Sequence, residues 1–285
     1  MTSHATKRYA VIGNPIEHSR SPFIHHAFAQ QCGIELVYEK RLAPLDGFNE
    51  SVKQFFAEGG LGLNVTVPFK EEAYQLARKH LSPRAELAAA VNTLWVDEHG
   101  TIHGCNSDGM GLLNDLHRLG HAPQGKRVLM VGAGGAARGC LLPLLESGCS
   151  ELRVINRTAQ RAQTLVSELL TARPDYQAQL NAGTLQDIND GEWDIVINAT
   201  SASLSSQAPQ LDGLAFSAQS LAYDMVYGTQ ATAFMLQSQQ QGASEQADGL
   251  GMLVGQAAIS FQIWHGVLPE TTAVLHDLRQ ALKGS

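Results

Sequence analysis

The chain has 285 residues, enough for one large domain or two of ordinary size. Its residues are 44% hydrophobic and 16% charged, so a substantial core can form and wholesale disorder is excluded. Twenty Lys and Arg face 27 Asp and Glu, and the net charge of -7 offers none of the basic surface that a general nucleic-acid binder needs.

The first hundred residues alternate apolar runs with helical patterns. Residues 9–12 read as a strand that ends at the turn Gly13-Asn14-Pro15, and Pro22 opens a helix to about Gln31. Residues 36–42 predict a second strand, and 48–57 a helix stopped by Gly59-Gly60. Residues 61–67 predict a third strand, halted by Pro68, and 70–80 the helix after it. This order argues for α/β architecture. A more regular series begins at Arg127, with strands expected at 128–131, 152–155, 194–199 and 221–226 and helices at 136–147, 159–171 and 232–240. The one biased patch, 237–247 with Gln239-Gln240-Gln241, reads as a helix end running into a loop. The last 37 residues predict two helices, split at Leu268-Pro269, which are expected to close back onto an earlier part of the chain.

The start of the chain has no apolar stretch before its basic residues, so no secretory signal is expected. Cys32, Cys105, Cys140 and Cys149 form no C-x-x-C pair and are expected as reduced thiols. Residues 249–269 carry no formal charge, but they include Gln256, Ser260, Gln262 and four glycines, so a buried helix is expected and no membrane partner. A cytoplasmic protein is the resulting expectation. Eleven histidines show no ligand spacing, so no metal is expected.

At the second series, Val128-Leu129-Met130-Val131 runs into Gly132-Ala133-Gly134-Gly135-Ala136-Ala137, a G-x-G-x-x-A turn between strand and helix. There Gly132 makes the tight turn, Gly134 lets backbone approach a pyrophosphate, and Ala137 lets helix and strand pack closely. The phosphates are expected on free N–H groups at the positive helix end. The next strand ends at Asn156-Arg157-Thr158, 22 residues beyond Gly134, where an NAD site usually carries an acid for the ribose 2′-hydroxyl. Arg157, Thr158 and Arg161 stand there instead. Guanidinium groups clamp a 2′-phosphate through charge-assisted bonds, so the expected cofactor is NADP.

Outside that unit, small polar side chains gather in the segments 13–22, 64–70, 90–93, 104–109 and 248–256. Such groups at strand ends suit a small ligand with many hydroxyls. Taken together and in order, these segments resemble the shikimate dehydrogenase family from Tyr9 to about Leu268. The resemblance implies two α/β domains: a discontinuous substrate domain of residues 1–107 plus 249–285, and a Rossmann-type NADP domain of 108–248 with a parallel sheet. It implies reduction of 3-dehydroshikimate to shikimate in a cleft between them, with no nucleic-acid partner; a homodimer is compatible but read from no residue. It gives Ser19 and Ser21 to the substrate carboxylate, and Asn64, Thr66, Asn92 and Gln256 to ring hydroxyls, with Tyr227 and Gly249 completing the pocket. Met225 is placed near the nicotinamide, with Thr200, Gly249 and Met252 also on the cofactor side.

The same resemblance makes Lys70 and Asp108, 38 positions apart, the catalytic pair. Reducing a ketone needs hydride at carbon and a proton at the developing alkoxide, and a lysine can donate that proton or stabilise the oxygen as a cation. Burial and a neighbouring carboxylate push a lysine in opposite directions, so both roles stay open. Two departures stand out. Asn106-Ser107-Asp108-Gly109 replaces the usual Asn-Thr-Asp-Gly, and Ser203 stands where relatives typically carry glycine after Asn-Ala-Thr-Ser. The alternatives are a quinate/shikimate or related cyclic-polyol dehydrogenase and, more distantly, a non-catalytic NADP sensor.

Overall fold

The computed structural model describes residues 6–284. Strands and helices alternate over most of the chain, which divides into two units. One unit runs to Ser107 and takes up Val254–Gln280; the other holds Asp108–Leu253 and the residues from Ala281 on. No helix among the described residues is long and apolar enough to cross a membrane.

In the first unit the order is β1 (Lys7–Gly13), α1 (Ser21–Cys32), β2 (Leu36–Leu42), α2 (Phe48–Ala57), β3 (Gly60–Val65), α3 (Lys70–Leu76), α4 (Pro83–Ala88), β4 (Thr93–Val96) and β5 (Ile102–Cys105). The sheet order is β2-β1-β3-β4-β5: β1 pairs in parallel with β2 and β3, and β4 is antiparallel to both of its neighbours. Side chains alternate along a strand, and β1 shows why its stretch from Tyr9 to Ile12 is unbrokenly apolar. Ala10 and Ile12 pack with Phe48, Phe55, Leu63 and Phe69 on one face, while Tyr9 and Val11 pack with Ile16 and Tyr38 on the other. Proline opens α1, and Gly33, at φ 64, ends it in the left-handed region where a side chain would be strained.

The second unit continues with α5 (Asp108–Arg118), β6 (Arg127–Val131), α6 (Gly135–Glu146), β7 (Glu151–Ile155), α7 (Ala159–Ala172), β8 (Leu180–Gly183), β9 (Glu192–Asn198), β10 (Ala215–Asp224), α8 (Ala233–Gln240) and β11 (Glu245–Asp248). Then come α9 (Leu250–His265) and α10 (Thr272–Lys283). Six parallel strands lie in the order β11-β10-β9-β6-β7-β8, the doubly wound arrangement with its switch point between β6 and β9. Here too both faces are buried: Val128 and Met130 belong to one core cluster, Leu129 and Val131 to another.

Several elements differ from expectation. The 70–80 helix stops at Leu76, because the chain turns through His80 to pair with Gly104, and α4 starts afresh at Pro83 with Ser82 as its cap. The strand expected at 61–67 ends at Val65, and the one expected at 221–226 starts at Ala215, with a register shift after Phe216, and ends at Asp224. The β4–β5 hairpin and strands β8 and β11 were not expected at all. β8 reads Leu-Asn-Ala-Gly and β11 reads Glu-Gln-Ala-Asp; both are sheet edges with one neighbour, too short and polar to show a hydrophobic period.

Candidate active site

In the first unit the polar segments converge at the ends of β3, β4 and β5. Asn64, the fifth residue of β3, is the hub. Its carboxamide oxygen accepts from the Tyr38 hydroxyl at 2.7 Å and from His25 Nε2 at 3.0 Å. Its Nδ2 donates to Ser260 Oγ at 2.9 Å and to the Asn92 carbonyl at 3.3 Å. An amide has two acceptor sites and two donors, so all four positions of Asn64 are taken by protein groups. The ring-hydroxyl contact expected of Asn64 therefore has to displace one of them. The Tyr38 hydroxyl also bonds Ser21, at the start of α1, and Ser21 N donates to Ser19 Oγ at 3.3 Å.

From the hub the network runs on to Asn92. Its Oδ1 accepts from Ser107 N at 2.9 Å and from Thr93 Oγ1 at 2.9 Å, and its Nδ2 donates to Ser107 Oγ at 2.9 Å. Gln256 joins through its Oε1, 3.5 Å from both Asn92 Nδ2 and Ser107 Oγ. Ser260, one turn further along α9, donates to the Gln256 carbonyl. Thus Ser21, Asn64, Asn92 and Gln256 share one connected network. The sequence did not single out His25, Tyr38, Thr93 and Ser260, which form its inner ring. Burial drives the His25 imidazole down to about 3 and holds the Tyr38 phenol well above its ordinary value, so both stay neutral as the amide hub requires. Asn64→Leu is expected to destabilise the protein by about 4 kcal/mol or more, since four buried partners each lose a bond worth about 1–3 kcal/mol. Urea unfolding checks this, and a loss under about 1 kcal/mol would refute the hub.

The two residues of the implied pair lie one in each unit. Lys70 is the first residue of α3, half-buried, and its carbonyl accepts from Val91 N at 2.9 Å. Thr66 lies between Asn64 and Lys70, its backbone N–H bonded to the Ile12 carbonyl and its methyl over Gly13. Asp108 is the buried first residue of α5, where the helix end favours a carboxylate. Gly109 beside it is a close approach: a Cβ there would run into the Gly139 carbonyl of α6.

In the second unit a cavity of about 800 Å³ opens at the carboxyl ends of β6, β7 and β9, the switch point of the sheet. Gly132, Asn156, Arg157, Thr158, Arg161 and Thr200 all line it. Gly132 holds φ 114, and a Cβ there would press on Ala199 and Thr200. Ala133 follows, and Gly134, Gly135 and Ala136 lie exposed at the start of α6, with no side chain capping it. At Gly134 and Gly135 there is open space where a Cβ would stand. That leaves a helix end with unfilled N–H groups and room above it, which suits a pyrophosphate. Arg157 and Arg161 are exposed at the start of α7, and neither forms an ion pair among the described residues, whereas Arg118, Arg127, Arg138, Arg153 and Arg173 are all paired with carboxylates. The donor set fits a 2′-phosphorylated dinucleotide.

Around the ends of β10 and β11 lie the other residues expected on the cofactor side. Met225 N donates to the Asn198 carbonyl at 2.9 Å, and Gly249 is so close to Met225 that a Cβ would strike its carbonyl. Met252 N donates to the Tyr223 hydroxyl at 3.3 Å, which in turn donates to Asp115 at 2.7 Å. Asp115 and Tyr223, unremarked in the sequence, thereby fix the first turn of α9. Tyr227 follows β10 and is half-buried.

A doubly wound dinucleotide-type unit, together with a second α/β unit built around polar amides and hydroxyls, defines a two-domain dehydrogenase. The chain belongs to the shikimate dehydrogenase family, NADP-dependent oxidoreductases of the shikimate pathway. Residues 11–94 match the shikimate dehydrogenase substrate binding domain, 116–207 the shikimate / quinate 5-dehydrogenase family and 249–279 the shikimate 5′-dehydrogenase C-terminal domain. Shikimate dehydrogenase (NADP(+)) of Bordetella avium is 58% identical over 284 residues, 99% of each chain. Among solved structures, an Ael1 enzyme of Pseudomonas putida is 44% identical with a TM-score of 0.89, covering 96% of this chain and 98% of its own. Shikimate 5-dehydrogenase of Thermus thermophilus, solved in complex with NADP(H) and shikimate, is 32% identical with a TM-score of 0.83, covering 97% of this chain and all of its own.

Proposed function

We propose that this chain reversibly reduces 3-dehydroshikimate to shikimate with NADPH, with Lys70 and Asp108 serving the reacting carbonyl. The observation that carries the cofactor half is the cavity in which Gly132, Arg157, Arg161 and Thr200 come together. The substrate half is supported by the network that joins Ser21, Asn64, Asn92 and Gln256. Residues 1–107 plus 249–285 are proposed as the substrate domain and 108–248 as the cofactor domain. A cytoplasmic location and a homodimer are proposed with it; cell fractionation and sedimentation velocity test them.

In the proposed reaction the hydroxyls of Ser19 and Ser21 receive the substrate carboxylate without a buried cation. Thr66, Asn92 and Gln256 offer the paired donor and acceptor that a ring hydroxyl needs, the last two on side chains already held by neighbours. Asn64 meets a ring hydroxyl by exchanging one of its protein bonds, and the others hold Asn92 and Ser260 in place. Bound NADPH supplies the hydride. The Lys70 ammonium faces the ketone oxygen, where it donates a proton or balances the developing charge, and Asp108 orients the lysine and accepts from a ring hydroxyl.

The test is NADP reduction with shikimate, then with quinate, in one preparation. Turnover with shikimate and much slower turnover with quinate is expected. Comparable rates would favour the quinate/shikimate reading, which the name of the family matched at 116–207 keeps in view. NADPH binding with no shikimate oxidation would leave a cofactor sensor and end the proposal.

A further inference from the structure

More than half of the cavity lining comes from one segment, Thr200 to Gln210, between β9 and β10. It has no strand partner and only one short helical turn, Ala202–Ser205. Its position therefore depends on side-chain bonds, and these converge on two places. The first is the Asp224 carboxylate, buried at the end of β10. It accepts from Ser203 Oγ at 2.5 Å, Thr232 Oγ1 at 2.6 Å, Asn198 Nδ2 at 3.1 Å and Val226 N at 3.0 Å. Ser203 is the only one of these donors that belongs to the segment itself, and it does not line the cavity. The second is the glutamine-rich helix α8. Gln237 Nε2 donates to the Pro209 carbonyl at 3.2 Å, and Gln241 Nε2 to the Leu211 carbonyl at 3.0 Å.

We infer that Ser203 and Gln237 are positioning residues for the cofactor: they fasten the Thr200–Gln210 wall opposite Arg157 and Arg161 and so set the width of the cavity that receives the adenosine 2′-phosphate end. A hydrogen bond to an ionised, buried carboxylate is among the stronger side-chain bonds. Ser203 makes such a bond from the middle of the segment, and Gln237 secures its far end through backbone. Thr200 is held separately at the near end, its Oγ1 donating to Asn198 Oδ1 at 2.7 Å. With three fastenings the wall is ordered before a ligand arrives, which lowers the entropic cost of binding. This inference rests on the cofactor occupying that cavity.

The experiment measures binding of NADP and of adenosine 2′,5′-bisphosphate, which reaches only the adenosine side, by calorimetry. Binding of the bisphosphate to the unaltered protein, competitive with NADP, tests the occupancy of the cavity alone; its absence overturns both occupancy and inference. Given that binding, Ser203→Ala is expected to weaken both ligands by a similar factor, roughly tenfold, with Ser203→Thr restoring most of it because the hydroxyl remains. Gln237→Glu, which keeps the shape and removes the donor, is expected to act in the same direction. The shikimate KM stays within about twofold of the unaltered enzyme's if the residues act on the wall. Unchanged affinity for both nucleotides in Ser203→Ala and Gln237→Glu overturns the inference. So does an equal loss toward shikimate and NADP with no rescue by threonine, which would give these residues a merely structural role.

Discussion

Lys70→Ala is expected to lower kcat by a factor on the order of 10²–10⁴ while the shikimate KM moves by no more than about threefold. The proposed role places the ammonium at an oxygen whose charge appears only as hydride arrives. A group that acts on developing charge contributes to the transition state and little to the bound ground state, so its loss falls on kcat. The structure adds a reason for the ground state to hold. Asn64, Asn92, Thr93, Ser107 and Ser260 are tied to one another and to Gln256 by the bonds described above. Removing the lysine leaves that framework in place. Lys70→Arg separates the two open roles. Arginine keeps the charge but does not give up its proton near neutral pH, so substantial recovery would mark electrostatic stabilisation and failure to recover would favour proton donation. Steady-state kinetics in both directions make the measurement; a defect confined to KM would move Lys70 to a binding role.

The turn at Gly132 and the arginines after β7 were legible in the sequence because their physics is local. A tight turn, a close backbone approach and the sign of a side chain at a strand end can be read from a few neighbouring letters. The parallel sheet was legible for the same reason, since its central strands are buried on both faces and show as unbroken apolar runs. The hub at Asn64 was not. Its partners come from α1, β2, β4 and α9, with Ser260 196 positions away, and nothing in the letters around Asn64 says that its amide is saturated. The resemblance assigns Asn64 and its neighbours to the substrate, but the ring that holds them in place carries little local signal. One signal was available: Tyr38 alternates inward on β2, and Ser260 follows Gln256 by one helical turn. Ser203 shows a different limit. Its departure from the usual glycine was visible, yet its meaning depended on Asp224, a charge at the end of the apolar run Leu221-Ala222-Tyr223 whose burial only the folded sheet reveals. Burial holds that carboxyl above its ordinary value, against the pull of Ser203, Thr232, Val226 and Asn198.

Arg157→Ala is expected to weaken NADPH by roughly tenfold and to leave NADH nearly unchanged, because a bond to a charged group is worth about 1.5–3 kcal/mol and only NADPH carries the 2′-phosphate. Arg157 and Arg161 stand four residues apart across the start of α7, on the rim of the same cavity and with no carboxylate partner among the described residues to neutralise them. Two cations so placed repel each other and the positive end of their own helix, a local cost that an anion between them removes. The double variant Arg157→Ala/Arg161→Ala is then expected to lose less than the sum of the two single losses if both guanidinium groups grip one phosphate, since the second loses its partner's preorganisation once the first is gone. Raised salt should weaken NADPH more than NADH in the unaltered protein, and this difference should shrink in each variant. Fluorescence titration of both cofactors against all three variants measures every term. Equal weakening of NADPH and NADH would show that the arginines support the cavity wall and do not select the phosphate, and the selectivity would then have to lie with Thr158 and Asn156, whose Nδ2 already donates to the Thr158 carbonyl at 3.0 Å.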